Sequence, residues 1–170
     1  MVIRSEPTAV VLDTSILAIY LRVQRSERRE ATPPQKRRQR DRRIAALVAR
    51  KFAAGRAFLP SPVLMELFVG ARSREDRADI ALIRRNAKRA IPSRILTPTE
   101  EDWTLAGSVI HRGLGNVSPG PHIIDCLVTI TTARIHCPVV WTDNIEDFTR
   151  WADELVRQGL PRVRAERPTQ

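Results

Sequence analysis

Short apolar runs alternate along this chain with longer stretches in which apolar residues return every three or four positions, a pattern that predicts strands interleaved with helices. Ala9-Val10-Val11-Leu12 reads as a first strand, and Thr14 or Ser15 can cap a helix carrying Ile16, Leu17, Ile19, Tyr20 and Leu21. Residues 42–54 repeat Ile44, Leu47, Val48 and Phe52 at helical spacing and stop at Gly55, a common terminator. Ala57-Phe58-Leu59 is a second strand. Ser61-Pro62 reads as an N-cap and first-turn proline opening a helix through Phe68 toward Gly70. Residues 74–90 form a charged amphipathic helix bounded by Ile91-Pro92, and Arg94-Ile95-Leu96 is a short third strand. Thr99, with Asp102 three residues later, starts a helix through Trp103, Leu105, Ala106, Val109 and Ile110. A turn-rich loop over 113–120 leads to a helix from Pro121 to about Ile135 or His136, and Pro138 to Thr142 makes the last main strand. Asn144 to Trp151 is a short connection into a C-terminal helix, and residues 162–170 are a strand fragment with a frayed tail. This order predicts an α/β fold with a parallel sheet. The 170 residues suit one domain, 1–170.

Against that apolar background, a few carboxylates stand in costly places. Asp13 ends the first strand, Glu66 lies inside Val63-Leu64-Met65-Glu66-Leu67-Phe68-Val69, Asp125 interrupts Ile123-Ile124-Asp125-Cys126-Leu127-Val128, and Asp143 with Asp147 follows Val139-Val140-Trp141-Thr142. A buried carboxylate without a cation tends to protonate or to be lost. Asp13 and Asp143 follow the carboxyl ends of predicted parallel strands, where open α/β sheets place ligands. Each has a plainer reading, Asp13 as a helix N-cap and Asp143 as a turn residue. Glu66 has only Pro62, Val63, Val69 and Gly70 at the neighbouring helical positions, and Asp125 has Pro121, His122, Val128 and Thr129. A distant arginine is the plain alternative for both. Converging acids with no His or Cys nearby favour Mg²⁺ or Mn²⁺ over zinc, and phosphodiester hydrolysis is the chemistry such a set implies.

Charge changes the picture next. Between Arg22 and Arg43 ten basic residues face Glu27, Glu30 and Asp41, so this block carries seven of the ten net positive charges. Arg37, Arg38, Arg40, Arg42 and Arg43 within it are candidates for contacting RNA, a solvated arm being the alternative, and Thr32-Pro33-Pro34-Gln35 predicts a break. Cys126 and Cys137 fit no zinc or redox spacing and read as core thiols. No stretch approaches the roughly 18 apolar residues of a membrane span, so the expected location is cytoplasmic, with no membrane partner.

The acids and their surroundings resemble the PIN-domain ribonucleases, and among them the VapC toxins of bacterial type II toxin–antitoxin modules. The likeness rests on Asp13-Thr14-Ser15 after the first strand, Glu66 in a helix followed by Gly70, Asp125 in an apolar helix, and Thr142-Asp143-Asn144-Ile145-Glu146-Asp147-Phe148 after the last main strand, and spans Val10 to about Trp151. The resemblance implies a PIN-like three-layer α/β/α sandwich with a mostly parallel sheet and Mg²⁺- or Mn²⁺-dependent cleavage of RNA, often tRNA or rRNA, leaving 5′-phosphate and 3′-hydroxyl ends. It also implies restraint by a VapB-like antitoxin, and similar proteins commonly form homodimers. Carried over, Asp13, Glu66 and Asp125 match the regular acids and Asp147 the favoured fourth, with Asp143 retained on its strand-end position. Thr14, Ser15 and Thr142 match hydroxyls that orient acids or water, and Asn144 occupies the alternative fourth position. Family members are usually shorter, so residues 22–43 look like a basic insertion.

The rival reading is a non-catalytic RNA-binding or antitoxin-sequestering protein of the same fold. A nucleotide-binding reading through Gly113, Gly115 and Gly120 lacks the Gly-x-Gly-x-x-Gly spacing. His122 stands close enough in sequence to tune Asp125 or touch substrate, a surface or capping histidine being the plainer reading, whereas His111 and His136 read as structural. Trp103 and Trp141 read as core, leaving Trp151 as the exposed tryptophan that could stack on a base.

Overall fold

Val10, Val11 and Leu12 are buried on both faces and form β1 (Val10–Leu12), the central strand of a five-stranded sheet. An unbroken apolar strand without polar alternation is what a parallel sheet covered on two sides requires. In this computed structural model, which describes residues 8–28, 35–115, 118, 120 and 122–168 and leaves out the side chains at 28 and 35–38, β1 pairs with β2 (Ala57–Pro60) and β4 (Val139–Trp141). β3 (Ile95–Leu96) and β5 (Arg164–Glu166) complete the order β3-β2-β1-β4-β5, every pair parallel. The flanking helices are α1 (Thr14–Arg28), α2 (Gln35–Ala53), α3 (Ser61–Val69), α4 (Arg74–Arg89), α5 (Glu100–Leu114), α6 (Ile123–Arg134) and α7 (Ile145–Arg157), giving a three-layer α/β/α sandwich. Among the described residues no helix is long and apolar enough to cross a membrane.

The chain adds β2 and β3 to one side of β1, then crosses over to place β4 and β5 on the other. That reversal opens a crevice at the carboxyl ends of β1 and β4, the place where sheets of this kind bind ligands.

Several boundaries differ from the sequence expectation. α1 runs past Leu21 to Arg28 because Val23 still packs into the core, and α2 begins at Gln35 rather than 42. The described part of the basic stretch is therefore the end of one helix and the start of the next, joined by Arg22 Nη1 on the buried Asp41 at 3.2 Å. Residues 29–34, which carry the expected Thr32-Pro33-Pro34 break, lie outside the described residues, as do Pro121 and part of the 113–120 loop. Ser61 is the first residue of α3 and not its cap: Pro60 holds the N-cap position and no side chain caps the helix. Asn144 to Trp151 is no connection, since Phe148, Trp151, Ala152 and Leu155 form one buried stripe of α7. Trp151 is consequently 0% exposed, while Trp103, at the margin of the buried stripe of α5, is 50% exposed, the reverse of the expectation for both. Trp141 and both cysteines are buried as expected, and the thiols are free. The segment after α7 supplies β5 and so belongs to the sheet through Glu166.

The start of α5 follows the expected capping box. The Asp102 N–H donates to Thr99 Oγ1 at 3.3 Å and the Thr99 N–H to Asp102 Oδ2 at 2.8 Å, while Arg134 Nη1 of α6 reaches the same buried carboxylate at 2.9 Å. Thr99→Ala should cost about 1 kcal/mol of unfolding free energy. Asp102→Ala should cost more, about 2 kcal/mol, because it also removes the buried partner of Arg134, which keeps only its bond to the Thr97 carbonyl. Urea denaturation measures both, and equal losses would mean that the Arg134 pair contributes nothing.

Candidate active site

Asp13 is the first residue beyond β1 and stays on the sheet ladder, its N–H donating to the Trp141 carbonyl at 3.0 Å. Its carboxylate accepts the Thr14 N–H at Oδ1 (2.6 Å) and the Ser15 hydroxyl at Oδ2 (2.8 Å), while its own carbonyl accepts the Leu17 N–H at 3.1 Å. These contacts make Asp13 the N-cap of α1. Capping does not exhaust its role, because the wholly buried Thr142 at the end of β4 donates its hydroxyl to the same Oδ2 at 2.8 Å. Asp13 is thereby tied to both strands of the crevice.

The other acids arrive from three helices. Glu66, in the interior of α3, accepts the Thr14 hydroxyl at Oε2. Asp125 sits in the first turn of α6 and Asp147 in the first turn of α7. A single amide spans these two: Asn144 Nδ2 donates to Asp125 Oδ2 and to Asp147 Oδ2, each at 2.9 Å. Asp147 is also touched by Arg150 Nη1 at 3.0 Å.

Charge balance sets three of these acids apart. Elsewhere the buried carboxylates have arginines: Asp41 with Arg22 at 3.2 Å, Asp102 with Arg134 at 2.9 Å, Glu154 with Arg157 at 2.7 Å. Among the described residues, Asp13, Glu66 and Asp125 have no Lys or Arg at ion-pair distance. Burial, then the negative charges of Asp13, Glu66 and Asp147, push Asp125 up from 3.8 to about 7, with the Asn144 hydrogen bond pulling the other way. Three acids spread from residue 13 to residue 147 thus act on a fourth, Asp125.

Asp143 is placed differently. Its Oδ1 takes Arg40 Nη2 at 2.5 Å and Arg167 Nε at 3.6 Å, and it is not among the charges that raise Asp125. Its backbone N–H donates to Ser15 Oγ at 3.0 Å, so its main chain remains one side chain away from Asp13. Arg42 and Arg43 are exposed on α2, and the side chains of Arg37 and Arg38 lie outside the described residues. His122 meets the edge of Trp151 at 5.9 Å between ring centroids and is not among the groups that shift Asp125. His111 and His136 are exposed. The contacts of Arg40, Arg150 and Arg167 with these acids were not foreseen. The helical spacing of Arg150 from Asp147 was a readable signal, whereas nothing in the sequence aligns Arg40 or Arg167 with Asp143.

The donor set is one of hard oxygens, carboxylates backed by hydroxyls and an amide, and suits a hard divalent cation rather than zinc. Among the described residues no three His, Cys, Asp or Glu side chains stand close enough together to hold a metal ion as placed. Each of the four acids is instead turned onto a neutral donor, an arrangement that mutual repulsion favours.

The raised Asp125 has a measurable consequence. With its folded-state value near 7 and its ordinary value at 3.8, the stability linked to it is fully present below about pH 4 and is lost as pH rises toward 7. In EDTA, Asp125→Asn should therefore stabilise the protein at pH 8 by about 1–2 kcal/mol after allowance for solvent screening, and by little at pH 4. Thermal melts at the two pH values measure it, and a variant less stable than wild type at pH 8 would refute the repulsion. No protein-family model matches the chain, and no protein of curated function matches it.

Proposed function

We propose that this chain is a metal-dependent endoribonuclease of the PIN-domain type, a VapC-like toxin held in check by a cognate VapB-like antitoxin. The observation that carries this reading is the set of Asp13, Glu66 and Asp125 beside the carboxyl ends of β1 and β4, Asp13 buried and the other two half-buried, with Asp13 and Glu66 repelling Asp125 and, among the described residues, no cationic side chain at ion-pair distance from any of the three. Stability alone does not favour such an arrangement.

In this reading Asp13, Glu66, Asp125 and Asp147 would hold Mg²⁺ or Mn²⁺, and the bound ion would neutralise phosphoryl charge and make water more acidic. The chain's part is orientation. Ser15 and Thr142 fix Asp13 through Oδ2, Thr14 fixes Glu66 through Oε2, and Asn144 keeps Asp125 and Asp147 in step. Glu66 Oε1 and Asp125 Oδ1 have no protein donor among the described residues. Water adds across the phosphodiester, breaking the bond from phosphorus to the 3′ oxygen and leaving 5′-phosphate and 3′-hydroxyl ends. The exposed arginines of α2, on a chain of net charge +10, supply attraction for the polyanion. Met65 and Val69, exposed at 52% and 82% on either side of Glu66 along α3, suit a partner that covers the cleft.

Purified protein with labelled RNA and Mn²⁺ should give discrete cleavage that EDTA abolishes. Asp13→Asn should lower the rate by on the order of 10²-fold or more. Cleavage that survives both treatments would refute the mechanism, and RNA retained without turnover would favour the non-catalytic alternative. Thr142→Val, which keeps the buried volume and removes the donor to Asp13, should lower activity or metal affinity by about 10- to 100-fold without unfolding the protein. Metal titration alongside a melting curve measures this, and an unchanged Mn²⁺ requirement would show that the hydroxyl does not orient Asp13.

A further inference from the structure

Arg40 and Arg167 come from opposite parts of the chain, the first turns of α2 and the residue after β5, yet both address one oxygen, Asp143 Oδ1, at 2.5 and 3.6 Å. Arg167 follows Glu166, whose carbonyl accepts the Thr142 N–H at 3.0 Å, so the sheet itself holds Arg167 beside the loop that leaves β4. Both arginine side chains remain largely exposed, at 56% and 64%, and Asp143 is 33% exposed. Within that loop the neighbours of Asp143 turn toward the acid cluster, Thr142 onto Asp13 and Asn144 onto Asp125 and Asp147. Only Asp143 directs its carboxylate to the arginines.

We propose that Arg40 and Arg167 form a subsite for a single RNA phosphate next to the one that is cleaved, and that Asp143 is their counterion in the free protein rather than a metal ligand. This rests on the endoribonuclease reading above and adds to it a position for the substrate backbone. The physical case is one of exchange. An exposed ion pair contributes little, so the arginines leave Asp143 at little cost. A phosphate diester offers two anionic oxygens to two guanidinium forks, a better match than one carboxylate oxygen shared between them. The displaced carboxylate stays in water. Since Asp143 lies one residue from Thr142 and one from Asn144, a phosphate in its place adjoins the acids.

The test separates binding from turnover. Anisotropy of a fluorescent single-stranded oligoribonucleotide in EDTA gives affinity and its salt dependence, and cleavage with Mn²⁺ gives activity. Arg40→Gln and Arg167→Gln should each weaken binding and flatten the log–log salt slope, and the two combined should flatten it by about 0.7, the value of one phosphate contact on a single strand. Asp143→Asn should tighten binding by about threefold, the removal of one competing surface ion pair, and cleavage should persist. Arg40→Lys, which keeps charge without the fork, should recover part of the affinity and serves with melting curves as the control for folding. Unchanged binding and salt slope in both glutamine variants would overturn the subsite. Loss of cleavage in Asp143→Asn with unchanged binding would make Asp143 a metal ligand and overturn the counterion assignment, leaving the nuclease reading intact. Wild-type protein that binds the oligonucleotide but never cleaves RNA would instead defeat the nuclease reading while the glutamine variants still report on the arginines.

Discussion

The repulsion that Asp13, Glu66 and Asp147 exert on the half-buried Asp125 is the constraint on which the rest of the site turns. β1 and β4 bring Asp13 and Thr142 side by side, α3 lends Glu66, α6 lends Asp125 and α7 lends Asp147. Burial raises the cost of charge on Asp125, and the neighbouring acids raise it further. The protein's own answer is a set of neutral donors, Thr14, Ser15, Thr142 and Asn144, which hydrogen-bond to the charge without cancelling it. Arginine does the cancelling everywhere else in the interior, at Asp41, Asp102 and Glu154. The contrast between these two treatments of a buried acid is the reason to regard the crevice as a working site.

The order of the sheet makes the convergence possible. With β1 central and later strands added on its other side, the ends of β1 and β4 are adjacent although Asp13 and Thr142 are 129 positions apart. Helices that start near that edge present their first turns to it, which is where Asp125 and Asp147 lie. Acids in the first turn also complement the helix dipole, so part of their cost is offset by the backbone.

The sequence made much of this legible, and the exceptions have physical causes. Val10–Leu12 and Val139–Trp141 are readable as strands because nothing polar interrupts them, and Thr99 with Asp102 announces its helix by capping chemistry. Glu66 and Asp125 stand out because no local cation is available to them. Residues 144–151 read as a connection into a helix, yet the buried spacing of Phe148, Trp151 and Leu155 makes 145–151 part of the helix itself. Trp151 and Trp103 exchange their expected places because a tryptophan's burial depends on which side of a helical stripe it falls, a matter of some tens of degrees. Pairings such as Arg40 with Asp143 or Arg22 with Asp41 depend on how whole helices dock, and local spacing carries no trace of that.

The tripeptide Thr142-Asp143-Asn144, between the end of β4 and the start of α7, alternates in direction: inward, outward, inward. Its geometry therefore behaves like a reading frame. Dropping or adding one residue there would leave the composition of the crevice almost intact while turning a charged group toward Asp13 and sending the amide that bridges Asp125 and Asp147 into solvent. Point substitutions at these positions change the contacts of one side chain each, whereas a shift in length scrambles all of them at once, so this junction is where the chain should tolerate changes in length least.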